Sequence, residues 1–139
     1  MSDWNTAIIE EFRANDGKVG GMFENAPLLL LHTTGAKSGV ERVHPMMYLD
    51  DGSRMFVFAS KAGADTHPDW YHNLQKNPEA VVELGTHSFT ARAHALPEDE
   101  RARFYAIQAA RFPAFAGYEA KTTRVIPVVE LIPEQSEAT

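Results

Sequence analysis

The chain has 139 residues, 44% of them hydrophobic and 23% charged, with a formal net charge of −6, which fits one soluble domain with a proper core. It has no cysteine, which excludes disulfides, thiolate metal sites and cysteine nucleophiles, and its acidic balance argues against general nucleic-acid binding, which leans on cationic surface. No apolar run approaches the roughly 20 residues of a membrane span, and Met1-Ser2-Asp3 opens no basic-then-apolar leader, so the expectation is a cytoplasmic protein without integral membrane association.

Residues 3 to 14 space Trp4, Ile8 and Phe12 four apart, with Ile9 beside them, which predicts an amphipathic helix. Asp3 can cap its start, and Asn15-Asp16-Gly17 supplies the stop. Glu10 and Glu11 favour packing on the body of the protein or on a partner subunit over a membrane surface, where Lys and Arg are expected. Residues 17 to 25, with Gly17, Gly20 and Gly21, read as a flexible connector.

Pro27-Leu28-Leu29-Leu30-Leu31 reads as a buried strand and Val43 to Leu49 as a second. Between them, Thr33-Thr34-Gly35-Ala36-Lys37-Ser38-Gly39-Val40-Glu41-Arg42 carries the glycines and serine of a turn. Backbone N–H groups of such a turn, with the Lys37 ammonium and Arg42 guanidinium beside them, make a site for an anion such as a phosphate. The same residues also describe a plain hairpin with two solvated cations. A nucleotide P-loop is excluded because Ala36 separates Gly35 from Lys37 and a strand follows. Ser38 lacks the Gly-x-Ser-x-Gly frame of a nucleophile elbow.

Asp50-Asp51-Gly52-Ser53 turns the chain into a strand over Arg54 to Ser60, followed by a loop over Lys61 to His67. Pro68 opens a short helix, Asp69 to Lys76, which Asn77-Pro78 ends, with Trp70, Asn73 and Leu74 on one face. Glu79 to Leu84 and the alternating segment from Phe89 to Ala95 predict two more strands. Pro97-Glu98-Asp99-Glu100 starts a helix to about Arg111, in which the acids sit where the helix dipole favours them. Residues 114 to 120 predict a short helical turn, and Val125 to Ile132 the last strand. The sum is an α+β, mainly β, single domain over residues 1–133, with about six hairpin-linked strands, peripheral helices and a flexible polar tail at 134–139.

Six histidines raise the question of a metal. His67 and His72, five apart, share no helix face at about 100° per residue, and no His-Glu-x-x-His occurs, so no metal is expected. The aromatics Trp70, Tyr71, Phe104, Tyr105, Phe112, Phe115 and Tyr118 can line a pocket for a flat ring or fill the core. Trp70, near Lys61 and on a helix face with Asn73, is positioned to stack on a flat ligand.

The segments Glu11-Phe12-Arg13-Ala14-Asn15, Leu30 to Arg42, Pro45, Ala59-Ser60, His67-Pro68-Asp69-Trp70-Tyr71-His72-Asn73-Leu74 and Arg124-Val125-Ile126-Pro127-Val128 together resemble the deazaflavin-dependent nitroreductase family, which uses coenzyme F420. The resemblance covers nearly the whole chain in order, and includes the F420H2-dependent quinone reductase-like proteins. It implies a split β-barrel of the FMN-binding split-barrel type, with about six antiparallel strands. F420 carries a deazaflavin ring, a phosphate and a tail of glutamates, so it is flat at one end and strongly anionic at the other. By similarity, Lys37, Ser38 and Arg42 hold the anionic part with Ala36, Val43 and His44 nearby. Ala59, Ser60 and Lys61, with Trp70 and Asn73, enclose the ring, and Tyr118 faces the substrate as the catalytic residue. Ala36 stands where many relatives carry a second cation. Phe115 and Lys121 stand where relatives that activate nitroimidazoles can have tyrosines.

The resemblance implies a reductase that passes hydride from reduced F420 to a conjugated small-molecule acceptor such as a quinone, an enone or a nitro compound. Two readings stay beside it: an FMN-dependent oxidoreductase on the same fold, and a non-catalytic F420 carrier. Barrels of this kind often pair, so a homodimer is a further expectation.

Overall fold

The four leucines Leu28 to Leu31 are apolar on both faces of their strand because both faces are covered. Leu29 and Leu31 point into a barrel, while Leu28 and Leu30 lie under a helix on its outside. The computed structural model describes residues 2–20, 27–52 and 54–134, with residues 2–5 and 62 described in backbone alone. The expected roles of the Trp4 and Asp3 side chains, of Ser53, of residues 21–25 of the connector and of the tail beyond Glu134 lie outside the described residues.

In chain order the elements are α1 (Ser2–Ala14), β1 (Leu28–Thr34), β2 (Glu41–Asp51), β3 (Arg54–Phe58), α2 (Asp69–Lys76), β4 (Glu79–Leu84), β5 (His87–Ala95), α3 (Glu98–Arg111), α4 (Ala114–Ala120) and β6 (Val128–Pro133). A 3-10 turn, Lys61–Gly63, lies in the loop after β3. The strands close into a barrel in the order β1-β2-β3-β6-β5-β4, every pair antiparallel, which agrees with the split-barrel expectation. The first two strands run further into the expected turn than their hydrophobicity suggests, because Thr33 and Thr34 pair with Arg42 and Glu41. The last strand starts three residues later than expected, at Val128.

Period-two alternation fills the interior with Leu29, Leu31, Val57, Ala80, Val82, Ala91, Val129 and Leu131. Helix α2 stoppers one end, its Trp70 and Leu74 belonging to this interior cluster. Outside, α3 and α4 bury Phe104, Tyr105 and Phe115 against Leu49, Phe56, Phe58 and Val128. The Phe56 and Phe104 rings stack at 4.1 Å, and Arg54 lies over both while pairing through two bonds with Glu130. Helix α1 covers the outer face of β1 with Ile8 and Phe12, and Arg13 at its end grips both Glu83 oxygens at 3.1 and 2.6 Å.

Strand alternation also decides what shares an end. The β1–β2 turn, the loop after β3, the segment before β6 and the start of β4 all lie at the end that α2 closes. The β2–β3 and β4–β5 turns lie at the other. Trp70 is only 8% exposed, so Trp70→Ala is expected to cost about 3–5 kcal/mol in denaturant unfolding. A loss under about 1 kcal/mol, the range of surface substitutions, would mean that the indole is not part of the barrel core.

Candidate active site

The α2 end of the barrel gathers most of the residues that the sequence singles out. The β1–β2 turn closes with Gly35 N–H donating to the Val40 carbonyl at 2.8 Å and Gly39 N–H to the Gly35 carbonyl at 3.0 Å. Gly39 takes a positive φ of 73°, and a Cβ on Gly35 would stand 2.6 Å from Ser38 Oγ, so the turn is tight enough to need glycine at both places. Val40 N–H donates to Ser38 Oγ at 3.1 Å, leaving the Ser38 hydroxyl proton free to donate outward. The Lys37 and Ser38 N–H groups have no acceptor among the described residues, and Lys37 and Arg42 are exposed without an ion pair among them. Two free N–H groups, a hydroxyl and two cations on an acidic protein fit an anion.

Ala36 contributes differently from the expectation. Its N–H is consumed by Asn73 Oδ1 at 2.9 Å. The other end of that amide donates to Thr33 Oγ1 at 3.0 Å, and Thr33 Oγ1 lies 3.1 Å from His44 Nε2. Because a backbone N–H can only donate, Asn73 Oδ1 must face Ala36, which fixes the amide orientation. Thr33 Oγ1 and His44 Nε2 share one hydrogen bond, whose donor is set by the imidazole tautomer. Burial pushes His44 down to about 4 against a weaker upward pull from Asp69, with Arg42 and His32 adding to the depression. Asn73 is 6% exposed and acts through the turn rather than on open space.

Three further expectations meet a different placement. Val43 falls on the opposite face of β2 from Arg42 and His44 and packs with the α1 cluster. Trp70 is turned into the interior by the same helix face that carries Asn73, and offers little ring surface for stacking. Ala59 is fully buried, with its N–H spent on the Pro127 carbonyl and its own carbonyl on Arg124, so it offers no free polar atom to a ligand. Ser60 is 8% exposed, and Lys61 has a φ of 47° and donates to Thr66 Oγ1 at 3.0 Å.

Tyr118 is half-buried on α4, its ring edge-on to Phe115 at 5.2 Å, and its hydroxyl has no hydrogen bond among the described residues. It belongs to the same end as the turn because α4 sits directly on the loop after β3. A Cβ on Gly63 would come 2.8 Å from the Tyr118 carbonyl oxygen, and Gly63 has a φ of 83°. Tyr105, by contrast, is a core tyrosine: its hydroxyl donates to the Phe115 carbonyl at 2.6 Å and burial pushes it up to about 12.

Sequence reasoning gave no role to Thr33 or Arg124. The Arg124 guanidinium donates to the carbonyls of Ala59, Ser60 and Ala64 at 3.0, 2.9 and 3.0 Å and lies 2.7 Å from His67 Nδ1. His67 and His72 do come together, their rings 5.8 Å apart, because His67 lies in the loop ahead of α2 and the helical spacing argument does not apply to it. Among the described residues no group of three His, Asp or Glu could hold a metal. A cavity of about 420 Å³ lies at the opposite end, between Arg13, His32, Glu83 and the β4–β5 turn, and none of the expected site residues lines it.

The closed split barrel thus carries, at one rim, a turn whose cations and two N–H groups have no partner among the described residues, with a loop and a tyrosine beside it. The chain belongs to the F420H(2)-dependent quinone reductase family, which it matches over residues 4–133. An F420H(2)-dependent quinone reductase of Mycobacterium tuberculosis is 37% identical over 124 residues, 86% of this chain and 83% of that protein. The solved structure of an F420-H2 dependent reductase, FDR-A, is 36% identical with a TM-score of 0.68, covering 76% of this chain and 93% of that one. Another, a domain-swapped dimer, is 34% identical with a TM-score of 0.70, covering 94% of this chain and 98% of that one.

His44 supplies a pH test of the rim network. Its ordinary value of 6.5 falls to about 4 on folding, so between those values the unfolded chain binds the extra proton. Stability should therefore drop as pH falls from about 6.5 to about 4. His44→Gln, whose amide oxygen can still accept from Thr33, should flatten part of that fall in melting temperature against pH. An unchanged slope would remove His44 from the network.

Proposed function

We propose that this protein binds reduced F420 at the α2 end of the barrel and passes hydride to a quinone, with other conjugated acceptors, enones and nitro compounds, as further substrates. The observation that carries the reading is the β1–β2 turn, which groups the Ser38 hydroxyl proton, two N–H groups and the Lys37 and Arg42 cations, none of them with an acceptor or ion pair among the described residues. Such a set suits the phosphate and glutamate tail of F420. It is more than the single phosphate of FMN requires, which favours the deazaflavin over the flavin. The same set would serve a carrier, and turnover separates the two. The family and the relatives of M. tuberculosis point the same way.

When bound, the deazaflavin supplies a hydride, two electrons and one proton. Reduction of a quinone to a hydroquinone needs two electrons and two protons, so one acceptor oxygen is left as an anion that takes its proton elsewhere. Tyr118 carries a phenol with a free hydroxyl at this end of the barrel and is the residue assigned to donate to that oxygen. Lys37 and Arg42 hold the anionic end, Asn73 and Thr33 keep the turn in shape, and the 59–61 loop meets the ring. Phe115 and Lys121 carry no phenol themselves, and the neighbouring Tyr105 hydroxyl is spent on the Phe115 carbonyl, so drug-like nitroimidazoles are expected to be poorer substrates than quinones.

We also propose a single domain over residues 1–133, pairing as a homodimer by analogy with the domain-swapped relative, and a cytoplasmic location. No helix among the described residues is long and apolar enough to cross a membrane.

Lys37→Ala and Arg42→Ala should each weaken F420 binding by about 1.5–3 kcal/mol where the contact is well desolvated, with little change in melting temperature. Added salt should weaken wild-type binding too. Tyr118→Phe should leave affinity unchanged and slow quinone reduction. Variants of Lys37 and Arg42 that bind like wild type would make the turn an ordinary hairpin. Normal turnover by Tyr118→Phe would return its proton-donating role to solvent.

A further inference from the structure

We propose that Arg124 is a positioning residue that shapes the loop after β3 so that the Ser60 and Lys61 N–H groups face the bound cofactor. The inference rests on the reading of residues 59–61 as the segment that meets the ring. One guanidinium holds three carbonyls of this loop, those of Ala59, Ser60 and Ala64, at 2.9 to 3.0 Å. The peptide is planar and trans, with no cis bond among the described residues, so each C=O turned toward Arg124 sends the next N–H the opposite way. The peptides after Ala59 and Ser60 therefore direct the N–H groups of Ser60 and Lys61 away from Arg124. Neither N–H has an acceptor among the described residues, whereas the neighbouring Ala59 N–H is spent on the Pro127 carbonyl and Gly63 N–H on the Ser60 carbonyl. Two adjacent free donors on a pinned backbone are suited to the carbonyl and ring-nitrogen edge of a flavin-like heterocycle.

His67 extends the device. A guanidinium has no lone pair to offer, so the 2.7 Å contact with Arg124 Nη1 requires His67 Nδ1 to accept and Nε2 to carry the ring proton. Protonating His67 would set two cations against each other and release the clamp. The groups facing His67 are Arg124 ahead of β6 and Tyr71 and His72 on α2. Within the loop, Asp65 accepts from Thr122 at 2.7 Å and Lys61 is bonded to Thr66. Burial, Arg124 and His72 together hold His67 below its ordinary range, so the clamp is closed at neutral pH and opens on acidification.

Amide hydrogen exchange on the wild-type protein, with and without F420, tests the presentation directly. Ser60 and Lys61 should be exposed to exchange in the free protein and protected on binding. Failure to protect them in a protein that binds F420 would overturn the inference. Arg124→Lys keeps the charge but not the fork, and should raise the F420 dissociation constant roughly 10- to 100-fold without a comparable change in the quinone KM. His67→Gln keeps an acceptor for Arg124 and should hold its F420 affinity as pH is lowered through and below the ordinary histidine range, where wild type loses affinity. A folded Arg124→Lys with wild-type affinity, or parallel pH profiles for wild type and His67→Gln, would assign the arginine to stability alone. If wild type does not bind F420 at all, the functional reading fails first; where wild type binds, Lys37→Ala weakens binding in a protein whose loop is intact and so tests that reading independently of the clamp.

Discussion

The side-chain amide of Asn73 is the contact on which the rim depends. One end accepts from the Ala36 N–H and the other donates to Thr33, whose hydroxyl is also hydrogen-bonded to His44. Three elements, α2, β1 and β2, are thereby joined at the point where β1 and β2 leave the barrel. The contact is buried, so each group in it would be costly to leave unpaired. It also decides which turn N–H groups remain free: Ala36 is taken, while Lys37 and Ser38 are left for a ligand. A substitution at Asn73 would act on the turn without touching the ligand.

Arg124 plays the corresponding part across the rim. The turn and the loop are thus held by two polar side chains that reach from elsewhere in the sequence, one from α2 and one from the segment ahead of β6. Between them α2 is packed into the barrel mouth by Trp70 and Leu74, so the site stands on a rigid stopper rather than on free loops. The cations sit on a chain of formal charge −6. Repulsion from the rest of the surface disfavours an anion in general, and at the rim Lys37 and Arg42, without ion pairs among the described residues, offset it locally.

Much of the architecture was legible in the sequence because it follows periodicity. The alternation in β5, the doubly apolar run of β1 and the Pro-opened helices α2 and α3 each carry a local signal, and all appear as expected. The site was legible in part. Lys37, Ser38 and Arg42 stand free at the rim because a glycine turn has a recognisable local chemistry. Asn73 and Ala36 lie where expected, but meet each other, since a bond across 37 residues leaves no local trace. Trp70 was ambiguous because one helix face serves both the core and the rim, and the barrel interior claimed the indole. Val43 went to the outer face for the simple reason that strand neighbours alternate. Arg124 was visible only as part of the resembling segment Arg124 to Val128, and its role had no local signal, because its three acceptors are main-chain carbonyls 60 to 65 residues away in sequence.

The central claim, that this rim holds a reduced deazaflavin and delivers its hydride, is tested most directly by one rapid-mixing experiment. The protein is loaded with stoichiometric F420H2, mixed with a quinone, and the return of oxidised F420 absorbance is followed in a single turnover. A matched sample is loaded with reduced FMN. The account predicts protein-dependent oxidation of one F420H2 per quinone consumed and no comparable reaction or tight binding with reduced FMN. Tight F420 binding without oxidation would leave a carrier, and preference for FMN would contradict the assignment of the cationic rim to the longer anionic cofactor.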